Sequence, residues 1–214
     1  MNMNRFSPIS RLASMLSVFA AGILLAGVAF AQAAPDKFIE SLSTKMIDQL
    51  KADKAVQDGD VGRVSELVDK TLMPNVNFER MTALSVGRGW RDATAAQREQ
   101  LMKEYRVLLL RTYAGAFTSV KDQNVRMKPF RGEASDKEVL VKSEIVQQRG
   151  DPIQLDYRLE KDGEAWKIFD VNVLGVWLIQ TYRNQFGQEI SAGGIDGLIK
   201  SLADKNKSFA GSKS

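Results

Sequence analysis

The side chain with the most chemical promise is Asp170. It lies between Phe169 and Val171, both expected to be buried, and a carboxylate in apolar surroundings paired with a tyrosine could move a proton on an apolar substrate. Asp156 and Glu160 offer a second carboxylate pair. They occupy polar positions of an alternating run, however, where solvated charge is the ordinary state. Residues 193–201, Gly-Gly-Ile-Asp-Gly-Leu-Ile-Lys-Ser, look like a phosphate-binding loop at first sight. The likeness fails at Leu198 and Ile199, which separate Lys200 from Gly197 where the loop needs lysine directly after glycine. A helix start after the Gly193-Gly194 turn accounts for the segment.

The 214 residues include no His and no Cys. This removes Ser-His-Asp triads, thiol nucleophiles, Cys/His zinc sites and histidine proton shuttles. An enzyme would have to work with carboxylates, Lys, Tyr, Ser and Thr, or with a hard cation held by oxygens. No catalytic set, metal site or cofactor site emerges from the spacing. The arginines do not form a nucleic-acid surface either. Arg88, Arg91, Arg106, Arg111 and Arg183 are scattered among acids, without the interleaved aromatics that stack bases. The alternative to a solvated surface is contact with an anionic headgroup at the mouth of a cavity.

The elements that must position these residues follow from periodicity. Residues 1–33 read as an export signal: Arg5 and Arg11, an apolar run from Met15 to Phe30, then Ala31-Gln32-Ala33 as a cleavage site. The alternative is a retained membrane anchor, for which the run is short. An exported chain without cysteine has no disulfides, so a packed core must stabilise it. Residues 34–206 are expected to form one domain and residues 207–214 a disordered tail. A helix starts at Pro35 with Phe38, Ile39, Leu42, Met46, Ile47 and Leu50 on one face. A second carries Val61, Val64, Leu67, Val68 and Leu72 and stops before Pro74. A short third covers Asn77 to Val86 and ends at Gly87. Thr94 and Gln97 form a capping box that opens a long helix to about Thr118.

The period then changes to two. Runs around Val125, Val139–Ile145, Ile153–Leu159 and Ala165–Val173, joined by turns at Gly150 and Gly163, predict an antiparallel meander of about four strands. Helix resumes near Gly175, breaks at Gly193-Gly194 and ends with Ile195, Leu198, Ile199 and Leu202. The expected class is α+β, with the sheet packed against several helices. The Thr94 and Gly175 helices are apolar on more than one side, a wider arc than a helix covering one core surface needs. An ordinary large core around a sandwiched helix would satisfy this, and so would an enclosed apolar cavity holding an apolar ligand.

Several segments carry a resemblance. Residues 72–81, Leu-Met-Pro-Asn-Val-Asn-Phe-Glu-Arg-Met, are followed by Gly87-Arg88-Gly89-Trp90 and by Leu109-Leu110-Arg111-Thr112-Tyr113. Trp166 to Val171, Gly175-Val176, Tyr182 to Phe186 and Gly193 to Ile199 continue the pattern in order. Together they resemble the MlaC (toluene-tolerance) family of periplasmic phospholipid-binding proteins. Asn77 stands where that family commonly has Asp, and Leu174 and Trp177 stand in a segment that usually reads Glu-Gly-Val-Ser.

The resemblance implies a periplasmic carrier that moves phospholipid between an inner-membrane ABC transporter, bearing an MCE-type subunit, and an outer-membrane lipoprotein-porin complex, maintaining lipid asymmetry. It implies phospholipid as cargo, no cofactor, no nucleic acid and, most simply, a monomer. The lining is then expected from Tyr105, Leu109, Tyr113 and Phe117 on the long helix, Val176, Ile179 and Tyr182 on the next, and Ile145, Leu155, Tyr157, Phe169 and Val171 on the sheet. Arg88 or Arg183 would approach the headgroup. Two rivals stay open: a cavity-containing enzyme using Asp170 and a tyrosine, and an interaction module with a filled core.

Overall fold

The computed structural model describes residues 34–133 and 135–211. The export signal and its anchor alternative lie outside them, and no helix among the described residues is long and apolar enough to cross a membrane. Helix α1 (Pro35–Ala52) buries Ile39, Leu42, Met46, Ile47 and Leu50, the stripe its spacing predicts. Two short helices follow, α2 (Lys54–Gln57) and α3 (Val61–Leu67), capped by Asp53 and Asp60 side chains that accept from Val56 and Arg63 backbone amides. The chain does not stop at Leu72. It loosens into a π turn over Val68–Leu72 and tightens into a 3₁₀ turn over Met73–Asn75, which tolerates Pro74 because proline sits at its start.

Helix α4 (Phe78–Val86) is capped by Asn77, whose Oδ1 accepts from Arg80 N at 3.0 Å and whose Nδ2 donates to Glu160 at 2.7 Å. The polar end of α4 is thus pinned to the sheet by Asn77. After α5 (Gly89–Asp92), the Thr94–Gln97 capping box opens α6 (Ala95–Thr118). Leu101, Tyr105 and Leu108 of α6 belong to one apolar cluster, while Leu110 and Phe117 pack against another. This helix is buried on two sides, as its wide apolar arc requires.

The sheet has five strands in the order β1 (Asn124–Met127), β2 (Glu138–Val146), β3 (Ile153–Asp162), β4 (Ala165–Val173) and β5 (Val176–Trp177), all antiparallel. The fifth strand is the difference from about four. Leu174 and Gly175 both take left-handed backbone, with φ of 53° and 87°, and Asn172 Oδ1 accepts from Gly175 N at 2.8 Å. The chain therefore doubles back as a two-residue hairpin before helix begins. Helix α7 (Leu178–Gly211) is kinked at Gly194, where φ is 66° and ψ is −165°, so the expected break is a bend between two helical halves. Helix also replaces the expected disorder as far as Gly211. Asn206 ties this end to α6, donating to the Glu104 carbonyl at 3.0 Å and to its carboxylate at 2.8 Å, while Arg111 donates to the Asn206 carbonyl.

The interior is three clusters rather than one. The first joins α4, α6 and α7 around Tyr105, Tyr182 and Phe186. The second packs α1 on the sheet through Ile39, Leu42, Val141, Tyr157, Leu159 and Ile168. The third fills the space between α1, α2 and α3. Half-buried residues join them: Val76 and Val171 touch the first two, and Leu72 touches the second and third.

Candidate functional site

Register arranges the apolar sheet face in rows. Val141, Tyr157 and Val171 are cross-strand neighbours, the next row runs Met127–Ser143–Leu155–Val173–Val176, and Val125–Ile145–Ile153 lies beyond. Exposure rises along this face. Val141 is 1% and Tyr157 8% exposed, Leu155 and Val173 are half-buried, and Val176 reaches 51%. The face is sealed by α1 at one end and opens toward the β4–β5 hairpin at the other.

The expected lining residues divide accordingly. Tyr105, Tyr157, Phe169, Ile179 and Tyr182 are buried among protein neighbours. The ring centroids of Tyr105 lie 4.9 Å from Tyr182 and 5.1 Å from Phe186, both edge-on, the preferred geometry for packed aromatics. Leu109, Tyr113, Leu155 and Val171 are half-buried against the first two clusters. Ile145 is half-buried in the outermost row, Phe117 sits apart in the third cluster, and Val176 is on the rim. Val173 and Val76, which are not among the expected lining residues, are half-buried beside them. Val173 was legible from its period of two with Val171, whereas Val76 reaches the sheet only through its bridge to Ile168, which no local pattern announces.

Phe169 and Val171 do not share a face by simple alternation. A bulge sets Leu159 opposite Ile168 and Arg158 opposite Asp170, leaving Phe169 as the extra residue. It turns into the α4–α6–α7 cluster, with the Arg80 guanidinium 3.8 Å from its ring centroid.

Asp170 is fully buried. Its Oδ1 accepts from Ile179 N at 3.1 Å and from Val171 N at 3.0 Å, and its Oδ2 accepts from Arg158 at 3.0 Å. Burial pushes this carboxyl up from its ordinary value, while the Ile179 amide and the Arg158 charge pull the other way. Burial likewise raises Tyr105, Tyr113, Tyr157 and Tyr182. Asp170 thus fastens the start of α7 to the sheet, and the surrounding phenols are poor proton donors at neutral pH. Asp156 is also buried, held by Gln154 at 2.7 Å, rather than solvated as its polar strand position suggests. Glu160 pairs with Arg80 and Asn77.

Arg88 and Arg183 are exposed, and the Arg183 guanidinium packs 3.6 Å from the position a Cβ on Gly87, the residue before Arg88, would take. Two surface depressions lie elsewhere. One of about 340 Å³ is bounded by Val76, Phe78, Glu79, Asp162 and Lys167. The other, of about 360 Å³, is lined by charged residues that include Arg63 and its partners Asp53 and Glu66, both at 2.6 Å. Neither includes an expected lining residue. No cluster of potential metal ligands occurs among the described residues.

Comparison with known proteins bears on this geometry. The chain is 38% identical to a phospholipid-binding protein from Ralstonia solanacearum solved in complex with a phospholipid, at a TM-score of 0.79 over 82% of this chain and 98% of that one. It is 24% identical over 193 residues to the intermembrane phospholipid transport system binding protein MlaC of Haemophilus influenzae, covering 88% of this chain and 90% of the relative. It is 22% identical over 188 residues to the toluene tolerance protein ttg2D of Pseudomonas putida, covering 85% and 87%. Residues 40–204 match the family described as MlaC protein. With nearly the whole described fold inside that match, the chain belongs to the MlaC family.

Proposed function

We propose that this protein is a periplasmic phospholipid carrier rather than an enzyme, taking lipid to or from an inner-membrane ABC transporter with an MCE-type subunit and an outer-membrane lipoprotein-porin complex. The observation that carries the reading is the graded apolar sheet face, sealed under α1 and open at the β4–β5 hairpin, in a fold shared with a protein solved with bound phospholipid. A diacyl lipid has about 30 methylenes, each worth about 0.8 kcal/mol on burial, so exposing its tails to water costs on the order of 20 kcal/mol. A carrier needs an apolar surface that nearly matches a bilayer, so that exchange in either direction is close to neutral; its partners set direction.

Leu109, Tyr113, Leu155, Val171 and Val173 supply that surface, and the buried tyrosines and Phe169 form the wall behind it. The headgroup stays near water, with Arg88 and Arg183 as candidate phosphate contacts. No cofactor is required, and one copy suffices for a shuttle that docks at two membranes. Gentle purification followed by organic extraction and mass spectrometry tests the reading. Phospholipid near one per protein is expected, and a lipid-free extract overturns it.

A further inference from the structure

Among the described residues three large apolar side chains are exposed, Leu140, Leu174 and Val176. Two of them belong to one tight turn. Leu174 has φ of 53°, a backbone that glycine takes freely and asparagine tolerates but that strains leucine. Its amide donates to the Gln154 carbonyl at 3.0 Å, yet its side chain is in solvent at 64% exposure. A strained backbone presenting an oily side chain to water has no compensation inside the isolated molecule.

The surroundings suit an apolar phase. No charged residue occurs from Val171 to Tyr182. Behind the tip, Trp177 is half-buried with the Arg158 guanidinium 4.0 Å from its ring centroid. Tryptophan and arginine are characteristic of the boundary between lipid and water. Val176 also extends the row through Leu155 and Val173, so the tip is the outer end of the apolar face itself.

We propose that the β4–β5 hairpin tip, Leu174 with Val176, dips into a lipid surface while cargo is loaded or released. The proposal rests on the carrier reading above. A bilayer fits better than a protein partner. Two side chains fall far short of the roughly 1,000 Å² expected of a specific protein interface, whereas shallow insertion of a few apolar groups is weak and reversible, as a shuttle requires.

The chain has no cysteine, so Leu174→Cys and Leu140→Cys each create one attachment point for a polarity-sensitive dye. Leu140 is 43% exposed on the opposite sheet face, across from Arg158. With vesicles of phosphatidylethanolamine and phosphatidylglycerol, the dye at position 174 should brighten and shift to the blue while that at 140 stays unchanged. In co-sedimentation with the same vesicles, unlabelled Leu174→Asn should bind about tenfold more weakly than the parent, with a melting temperature no lower. Silence at 174, an equal response at both positions, or a response at 174 only to a second protein overturns the proposal. Lipid extracted from the same preparations reports on cargo separately. Protein that carries phospholipid but ignores vesicles refutes the docking site alone, and protein without phospholipid refutes both.

Discussion

Asp170 shows how a chemically suggestive residue can be wholly structural. Its oxygens accept from three donors, the Ile179 and Val171 amides and Arg158, and at 0% exposure the carboxylate is enclosed by protein rather than turned to solvent. Asp170→Ala would strand the buried Ile179 amide and remove the partner of half-exposed Arg158, and should cost about 1–3 kcal/mol in urea denaturation. Asp170→Asn keeps an acceptor for the amide and should cost less, with bound phospholipid unchanged. The pH dependence has a definite sign. Because burial raises this carboxyl, its contribution is most favourable in acid and declines as pH rises through the raised value; Asp170→Asn should flatten that decline in melting temperature. A second contrast separates wall from lining. Tyr105 is 0% exposed, and Tyr105→Ala should cost about 3–5 kcal/mol. Half-buried Leu109→Ala should cost about 1 kcal/mol and instead reduce the phospholipid recovered per protein.

Among the elements, α1, α4, α6 and the meander were legible because each keeps one period, with Pro35 opening α1, Asn77 and Thr94 capping α4 and α6, and glycine turns parting the long strands. The long helix declared itself twice, through Thr94 with Gln97 and through apolar residues on two sides. What was not legible depends on partners distant in sequence. The β5 strand exists because Asn172 accepts from Gly175 N, and the bulge at Phe169 exists only in the pairing of β3 with β4. Disorder from residue 207 is an inference from Lys, Ser and Gly content, whereas helix continues to Gly211, beyond the contacts that Asn206 makes with α6. At the opposite sheet edge, β1 is fastened by Glu144, which pairs with Arg126 and with Lys128, the latter at 2.6 Å. Both cations hold this carboxyl below its ordinary value of 4.5. Their stabilisation is therefore complete above that pH and lost as pH falls through the depressed value. The protection of β1 amides against exchange, corrected for the intrinsic pH dependence of the rate, should fall in acid, and Glu144→Gln should show the lower protection already at neutral pH.

For the molecule as a whole, class and family were readable, while which apolar residues other side chains enclose was not. Periodicity identifies which side of an element avoids water, but it does not say whether protein or ligand covers that side. Tyr105 and Leu109 lie one turn apart on α6, yet only the first is enclosed by other side chains. If phospholipid completes the packing beside Leu109, Tyr113, Leu155 and Val171, the loaded protein should be measurably more stable. Cargo at a hundred times its dissociation constant adds about 2.7 kcal/mol, or about 5–10 °C in melting temperature for a chain of this size. Calorimetry before and after delipidation checks this, and adding phospholipid back should restore the difference.

The Asn206 contacts give the C-terminus an unexpected job. One amide grips both the carbonyl and the carboxylate of Glu104, and Arg111 returns the grip, so α7 is buckled to α6 near its end. Clipping the chain just ahead of Asn206 would leave every residue of the proposed lining in place yet remove these ties to the long central helix, which makes the far end of the polypeptide a remote determinant of how firmly that helix is held.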